Sequence, residues 1–402
     1  MWKTVKLKEI CTVFNDGDWI ETKHQSEGGI RLIQTGNIKS GYFSDRIDKA
    51  RYISEDTFAS LNCTEIFSED ILVSRLPEPV GRACIIPALD ERAITAVDCT
   101  IIRVQEEKVI SEFLNYYMQS PSYFTSVQKE LTGTTRQRIS RKKLGEIPVI
   151  LPPLAEQQRI VAKLDAAFAE IDAAIAAADS KETEVQKLKA SLLSSSLSGD
   201  AVMWKTVKLG DICQFVRGPF GGNLKKSFFV ESGFAVYEQK HAIENQCDDF
   251  RYFVTLEKFN EMSRFAVSAG DILMSCSGTI GKSTIVPKGA PTGIINQALL
   301  KITPSEVIEV RFLKLYMESR IFSEQLMDTV DGMAMQNVAS VKTLKNITIN
   351  LPPLAEQQRI VAKLDAAFAN LGDAKDAVAK SKLNYQSLKS AILAQELQSE
   401  VA

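Results

Sequence analysis

The 402-residue chain is poor in histidine: His24 and His241 are its only two. Zinc sites and acid–base sets built from several imidazoles are therefore nearly excluded. Its seven cysteines (Cys11, Cys63, Cys84, Cys99, Cys213, Cys247 and Cys276) form no C-x-x-C, and their number is odd. That usage indicates reduced thiols in a cytoplasmic protein. No run of about 18 apolar residues is present, and the opening MWKTVKLKEI has no apolar signal-peptide core, so no membrane association is expected. Neither charge is in excess: 48 Lys plus Arg stand against 50 Asp plus Glu, a formal net charge of −2. A generally polybasic nucleic-acid binder is ruled out, though a local basic patch is not. With 45% hydrophobic residues, the chain can bury large cores, in about two to three domains.

What the sequence does contain is itself, twice. Residues 151–169 read LPPLAEQQRIVAKLDAAFA, and residues 351–369 repeat them letter for letter. WKTVKL stands at Trp2–Leu7 and again at Trp204–Leu209. Weaker matches fill the interval: ARYIS at 50–54 with FRYFV at 250–254, DILVS at 70–74 with DILMS at 271–275, and GRACIIP at 81–87 with GKSTIVP at 281–287. FLNYYMQS at 113–120 matches FLKLYMES at 312–319, and GTTRQRI at 133–139 matches GMAMQNV at 332–338. A period of about 200 residues is far too long for a solenoid and means two whole domains, each with a tail. Stretches 15–48 and 215–248 share almost nothing. Loop drift after duplication and divergence of a contact surface both account for that.

Each unit divides in two. Its first ~150 residues alternate short strand-like runs (IRLIQTG, RACIIP, AITAVDCTIIRV; FAVYEQ, STIVP, GIINQALLKI) with Gly, Pro and Asp turns. A single helical stretch is expected near the end of each, at 111–131 and 308–330. The tails differ. Leu-Pro-Pro marks a helix start, since proline suits the first turn. Apolar residues then recur at Val161, Leu164, Phe168, Ile171, Ile175, Ala178, Val185, Leu188 and Leu192, and again at Val361, Leu364, Phe368, Leu371, Ala374, Val378, Tyr385, Leu388 and Ile392. This 3-4 alternation is that of a coiled-coil seam. Only Gly372 interrupts the absence of proline and glycine inside the tails. A helix over about 154–197 runs ~65 Å and cannot bury its stripe alone. The simplest partner is the equivalent stripe of the same chain, packed antiparallel. The fold class expected is α+β: two α/β globules separated by an intramolecular antiparallel two-helix coiled coil, a dumbbell with pseudo-twofold symmetry, joined through SSSLSGDAV at 194–202.

Enzyme motifs are weak. CSGTIGKST at 276–284 resembles a phosphate-binding loop, but Cys276 stands where that pattern needs glycine, and a strand-like IVP follows where a helix should open. Asn350-Leu-Pro-Pro-Leu only faintly echoes an amino-methyltransferase loop and reads better as a helix start. No Ser/His/Asp or Cys/His set is evident. Polar and basic clusters are more informative. Thr134, Thr135, Arg136, Gln137 and Arg138, with Arg141, Lys142 and Lys143, form a run without acids. The second copy offers Arg217 beside GPFGGN, Asn223, Lys225 and Lys226, Ser275, Ser277, Thr279 and Lys282 on the glycine-rich turn, and Gln336 and Asn337. Lys39, Tyr42, Arg75, Arg82 and Lys240 complete the candidate DNA contacts. Arg, Asn and Gln can bond base edges in pairs, while Lys and hydroxyls fasten phosphates.

These residues point to a family. GDIL-x-S with SGTIGK and IVP, GIINQALLKI, RGPFGGNL, IQTGNIKSGYF and, above all, two copies of LPPLAEQQRIVAKLDAAF resemble the DNA-specificity (S) subunit of type I restriction-modification systems over essentially all 402 residues. The resemblance implies target recognition domains at 1–150 and 203–350, and conserved helical regions at 151–202 and 351–402. It implies that each recognition domain reads one half of a bipartite, asymmetric target in double-stranded DNA, with the coil as a ruler for the gap. It implies a non-catalytic subunit docked by two adenine-N6 methyltransferase (modification) subunits and two restriction (translocase-nuclease) subunits. S-adenosylmethionine, ATP and Mg then belong to those partners, and this chain carries no cofactor or metal. Half-sites one turn apart lie ~34 Å from centre to centre, a spacing that a ~65 Å rod spans. Weak, salt-sensitive DNA binding by the isolated chain, tighter in the assembly, follows. The competing reading is a coiled-coil scaffold whose globules bind proteins and not DNA; it gives no sequence-specific protection of DNA.

Overall fold

The computed structural model describes residues 2–133, 136–198, 204–327 and 341–397. The chain forms two compact units, residues 1–178 with 379–402, and residues 179–378.

In the first unit, a four-stranded antiparallel sheet runs in the order Cys11–Asp16, Cys99–Val104, Ile71–Ser74, Ala83–Ile85. Period-2 alternation sends successive side chains to opposite faces, and here both faces are covered. Ile71, Val73, Ile102 and Val104 pack against Phe113, Leu114, Tyr117 and Tyr123 of two helices. Leu72, Cys99 and Ile101 pack the other way, against Ile33 and Ala93 of a second sheet ordered Gln25–Ser26, Tyr52–Ile53, Ile30–Ile33, Ala93–Thr95, Glu65–Ile66. Burial on both sides explains why the central strands read as apolar runs without polar alternation.

The second unit repeats the plan. Its four strands are Cys213–Arg217, Leu299–Pro304, Ile272–Ser275 and Ser283–Ile285, and its smaller sheet is Phe253–Val254, Phe234–Tyr237, Gly293–Ile295. The letter-identical anchors turn out to be one substructure. Lys3–Lys6 pairs with Pro148–Leu151, and Lys205–Lys208 with Thr348–Leu351, so each WKTVKL is strand partner to the segment entering its Leu-Pro-Pro.

Each expected helix at the end of a globule is in fact two. The first breaks into Ser111–Tyr117 and Pro121–Lys129, because Pro121 opens a new helix and the Ser120 hydroxyl caps it, accepting from the Tyr123 amide at 3.2 Å. The second breaks into Val310–Glu318 and Arg320–Met327 at Ser319, whose backbone is extended and whose hydroxyl accepts from the Phe322 amide at 3.3 Å. A serine N-cap inside an apolar-periodic run ends one helix and starts another.

The two tails are helices of 44 residues each, Leu154–Leu197 and Leu354–Leu397. Within the first unit they pack antiparallel: Lys163 meets Glu396 at 2.7 Å and Lys389 meets Asp172 at 2.9 Å. Within the second, Leu193 and Leu197 share a core with Ile360 and Leu364. The seam differs in detail from the sequence pattern. Ile160, Ile360, Leu393 and Leu397 are buried, whereas Leu188 and Leu388 are about half exposed, at 49% and 47%. The tightest packing lies where helix ends meet a globule, and there the stripe follows the globule's shape and not a strict heptad.

A buried glutamine sets each helix against its globule. Gln157 and Gln357 are wholly buried in the first turn. The Gln157 amide donates to the carbonyls of Lys108 (3.0 Å) and Pro152 (2.8 Å), and its oxygen accepts from the Ile110 amide (2.9 Å). Gln357 does the same with Val307, Pro352 and Glu309. Among the described residues, no helix is long and apolar enough to cross a membrane.

Candidate nucleic-acid interface

The register of the four-stranded sheet brings several chain segments to one end. Asp16 pairs with Thr100, Ser74 with Cys99, and Val73 with Ala83. The loops after Asp16, after Ser74 and before Cys99 therefore meet there. Backbone bonds lock them: the Gly17 amide to Cys99 (2.8 Å), the Arg75 amide to Asp98 (2.9 Å) and the Ile139 amide to Arg75 (3.4 Å). The last bond ties in the basic loop. Thr132 and Arg138 exchange two backbone bonds of 2.9 Å, closing a small loop whose exposed side includes Arg136, Gln137 and Arg138. Thr134 and Thr135 lie outside the described residues. Buried Ile139 anchors the loop, and the Ser140 hydroxyl caps the short helix Arg141–Gly145. Arg141 is half-committed inward, donating to the Phe14 carbonyl at 2.8 Å and lying 3.5 Å from Asp16.

The remaining candidates of the first unit divide by burial. Tyr42 is well exposed, on a loop tip where the Lys39 amide donates to the Tyr42 carbonyl at 3.1 Å. Arg75 is drawn inward: its guanidinium binds the Val97 carbonyl and sits 3.3 Å from Asp16. Arg82 corrects the sequence expectation. It is only 7% exposed, and it donates to the carbonyls of Ile38 and Thr35 (both 2.8 Å), Leu76 (2.8 Å) and Pro79 (3.0 Å). All three guanidinium nitrogens are engaged in sewing two loops together, so Arg82 holds the fold and does not face a ligand.

The same end of the second sheet is built alike. The Gly218 amide donates to Leu299 (2.9 Å), the Cys276 amide to Ala298 (2.9 Å) and the Gly281 amide to Ser275 (3.0 Å). Gly278 and Gly281 have φ of +63° and +82°, the left-handed region that this turn needs and glycine supplies. Ser275 is wholly buried and donates to the Thr279 carbonyl, so it too braces the turn and faces no ligand. The Ser277 carbonyl accepts from Gln239, leaving Thr279 and Lys282 exposed at the tip. A strand, Ser283–Ile285, follows and not a helix. The arrangement is therefore not a phosphate-binding loop. Burial pushes the Cys276 thiol up to about 11 and the Cys99 thiol up to about 12, which keeps both neutral behind the loops.

Arg217 lies 5.8 Å from the ring of Phe220, and Asn223, Lys225 and Lys226 are exposed on the segment that follows. Lys240 is partly buried and paired with Asp249 at 2.6 Å. Gln336 and Asn337 lie outside the described residues. Sequence reasoning passed over two exposed aromatics, Trp19 and Phe220, each two residues after the glycine that leaves the first strand of its sheet. The glycine-x-aromatic spacing, repeated at an interval of about 200 residues, was the available signal.

A family model described as the type I restriction modification DNA specificity domain matches residues 1–178 and again residues 201–377. The chain belongs to that family. Its relatives include the specificity subunits of the type I restriction enzymes EcoBI of Escherichia coli (21% identical, 100% of this chain and 86% of the relative) and EcoKI of Escherichia coli K12 (22%, 92% and 82%). Among solved structures, a chain from a study of complex assembly and conformational transition of a type I R-M system aligns with a TM-score of 0.78 at 21% identity, covering 100% of this chain and 98% of that one. The HsdS subunit from Thermoanaerobacter tengcongensis aligns at 0.58 and 21%, covering 100% and 97%. The fold is thus that of a type I specificity subunit, with one DNA specificity domain in each half.

Proposed function

We propose that this specificity subunit reads a bipartite, asymmetric DNA target, with residues 1–150 addressing one half-site and residues 203–350 the other. The paired helices of 151–202 and 351–402 act as a ruler for the intervening gap and as the seat for methyltransferase subunits. The observation that carries this reading is the double match to the DNA specificity domain, with the same four-stranded sheet order and the same anchor strand pair in both units and loop ends that differ. Two different loop sets on one scaffold suit two different half-sites. In the first unit the reading surface centres on Arg136, Gln137 and Arg138, with Lys39 and Tyr42 beside the edge strand. In the second it centres on Arg217, Asn223, Lys225, Lys226, Thr279 and Lys282. Exposed arginine and glutamine suit base edges, and exposed lysines suit phosphates.

The chain itself is non-catalytic in this proposal. Two adenine-N6 methyltransferase subunits bring S-adenosylmethionine, and two translocase-nuclease subunits bring ATP and Mg. The test is a domain swap. Residues 1–150 are replaced by the corresponding globule of another family member, the methyltransferase is reconstituted, and methylated adenines are mapped by single-molecule sequencing. One half of the motif should change while the other half and the gap stay. A motif that stays whole, or changes in both halves, would overturn the reading.

A further inference from the structure

Gly41 of the first unit seals a place that the second unit keeps as a cavity. The Gly41 amide donates to the Ala83 carbonyl at 2.8 Å, and the Gly41 carbonyl accepts from the Asn115 side-chain amide at 3.0 Å. A Cβ on Gly41 would lie 2.3 Å from the Gln119 amide oxygen, so the bare backbone rests on that side chain. The matched segments of the repeat put Ser283, Lys314 and Glu318 where the first unit has Ala83, Asn115 and Gln119. All three line one cavity of about 500 Å³. The corresponding stretch of the second unit is a short helix, Gln239–Glu244, which walls the cavity with Ala242 and Ile243 and does not fill it.

Buried Leu193, Phe322 and Leu326 give the cavity an apolar floor. Ser283 is only 4% exposed, and its buried hydroxyl oxygen has no hydrogen-bond partner in the protein. A buried hydroxyl without a partner is unfavourable, and a polar group brought from outside relieves it. Ala83, at the sealed place, has no hydroxyl to satisfy. Three lysines line the cavity against one acid. Buried Lys314 is committed to that acid, Glu318. Lys189 and Lys282 stand exposed at the rim, and among the described residues neither ammonium has an acid partner. Lys189 lies 4.8 Å from the Phe368 ring. Its counterpart Lys389 lies over Phe168 and is paired with Asp172, but Gly372 stands at that acid's place in the second long helix.

We propose that this cavity binds a small peptide-like anion, a molecule carrying a carboxylate beside an amide. Lys189 and Lys282 meet the carboxylate, and Ser283 meets the amide. The first unit supplies the precedent for the amide, since a backbone peptide group occupies the matching floor there. The volume of about 500 Å³ is that of a small-molecule site. A partner protein meeting both units alike would find the place open in one and sealed by Gly41 in the other, whereas a diffusing molecule needs only one. Lys282 also stands at the loop tip proposed to meet DNA, so it is kept in every variant.

The experiment titrates the full chain by calorimetry with N-acetylglycyl-aspartate, with the uncharged N-acetylglycyl-asparagine amide and with inorganic phosphate. Wild type should bind the acidic peptide with a dissociation constant of about 0.1–1 mM and the uncharged one at least about tenfold more weakly. Lys189→Gln and Ser283→Ala should each weaken binding of the acidic peptide about three- to tenfold. Ala190→Phe, which fills the mouth from an exposed helix position, should abolish it. Without ligand, Ser283→Ala should melt within about 2 °C of wild type, because its hydroxyl has no bond to lose. Wild type that gives no heat of binding up to about 10 mM acidic peptide overturns the proposal. So does equal binding of the uncharged peptide, or of phosphate, which marks an adventitious ion only. Variants at Lys189, Ser283 and Ala190 that bind like wild type overturn it too, since the peptide then sits elsewhere. Each of these results leaves the DNA-reading function untouched.

Discussion

Replacing Gln157 by leucine tests whether a hydrogen-bonding clasp or simple filling of space joins each long helix to its globule. Leucine nearly preserves the volume, so little cavity forms. What is lost is chemical. The Ile110 N–H and the carbonyls of Lys108 and Pro152 all face this side chain. The pattern of one donor and two acceptors also fixes which end of the amide is which. Each buried group left unpaired costs about 1–3 kcal/mol. The carbonyls keep a second lone pair for other partners, and leucine gains some burial, so the net loss should be about 2–4 kcal/mol. For a unit of this size each kcal/mol moves the midpoint by about 2–4 °C, giving a fall of about 4–16 °C by calorimetry. Gln357→Leu should behave alike.

The acid variant sharpens the test. In Gln157→Glu, an ionised carboxylate would face two carbonyls in a dry site, so its folded-state pKa should rise above the ordinary value. A raised acid pKa gives stability that is present below the unfolded value and lost as pH rises. Gln157→Glu should therefore approach the parent near pH 4 and fall away towards pH 8. A leucine variant melting within about 1 °C of the parent, or a glutamate variant without this pH trend, would refute the clasp.

Arg82→Met should lower stability by about 2–4 kcal/mol in a denaturant titration without altering the methylated motif, as its four carbonyl partners require. Leu164→Ala should cost about 2–5 kcal/mol, because the side chain is fully buried, whereas Leu188→Ala, half exposed, should cost under about 1 kcal/mol in the same assay. Lys6 and Lys8 hold the Glu146 carboxyl at about 2, below its ordinary 4.5. Stability from that contact is present above about 4.5 and lost as pH falls towards about 2, so Glu146→Gln should flatten that part of an acid titration. Lys225→Ala and Lys226→Ala should weaken binding to all duplexes alike and each reduce the salt slope by about 0.9.

The extent of the long helices was legible because their signals are local. A Pro-Pro start and a 3-4 stripe, missing one seam position at Glu182, place the first at about 154–197, and the repeated letters give the second the same start. The strands were legible for the same reason. The broken helices were not. Ser120 and Ser319 lie inside apolar periodicity, and a cap shows itself only when the hydroxyl meets an amide three residues on. Leu188 kept the seam pattern yet stands half exposed, since periodicity gives a face and not the depth of what covers it. Arg82 looked like a ligand contact because sequence carries charge and not destination; its guanidinium is enclosed by carbonyls from residues up to 47 positions away. Arg136, Gln137 and Arg138 stood out as a run of polar letters, and the fold leaves all three exposed. Trp19 escaped because a lone tryptophan in sequence is ordinarily core, and only its fixed neighbours Asp18 and Ile20 turn it outward.

Duplication makes the division between scaffold and reader measurable within one chain. In the segment beginning at Leu151, Gln157 and Gln357 make the same three bonds, Glu156–Arg159 and Glu356–Arg359 the same ion pair at 2.8 and 2.7 Å, and Leu164 and Leu364 the same burial. Most of these side chains are committed inside their own unit, so a change there acts on folding. At the loop tips the reverse holds. Arg136 and Gln137, or Asn223 and Lys225, project from backbones fixed by other residues, and exposed substitutions commonly shift stability by no more than about 0.5 kcal/mol. Against a total stability of about 5–15 kcal/mol, many tip changes fit where one change at Gln157 would remove a large share. A protein so arranged can change its loop tips without relearning how to fold, and the boundary between tolerant and intolerant positions should run through Gly17 and Gly218. There the backbone touches the next strand, and one residue later the chain is pinned again before the exposed Trp19 or Phe220.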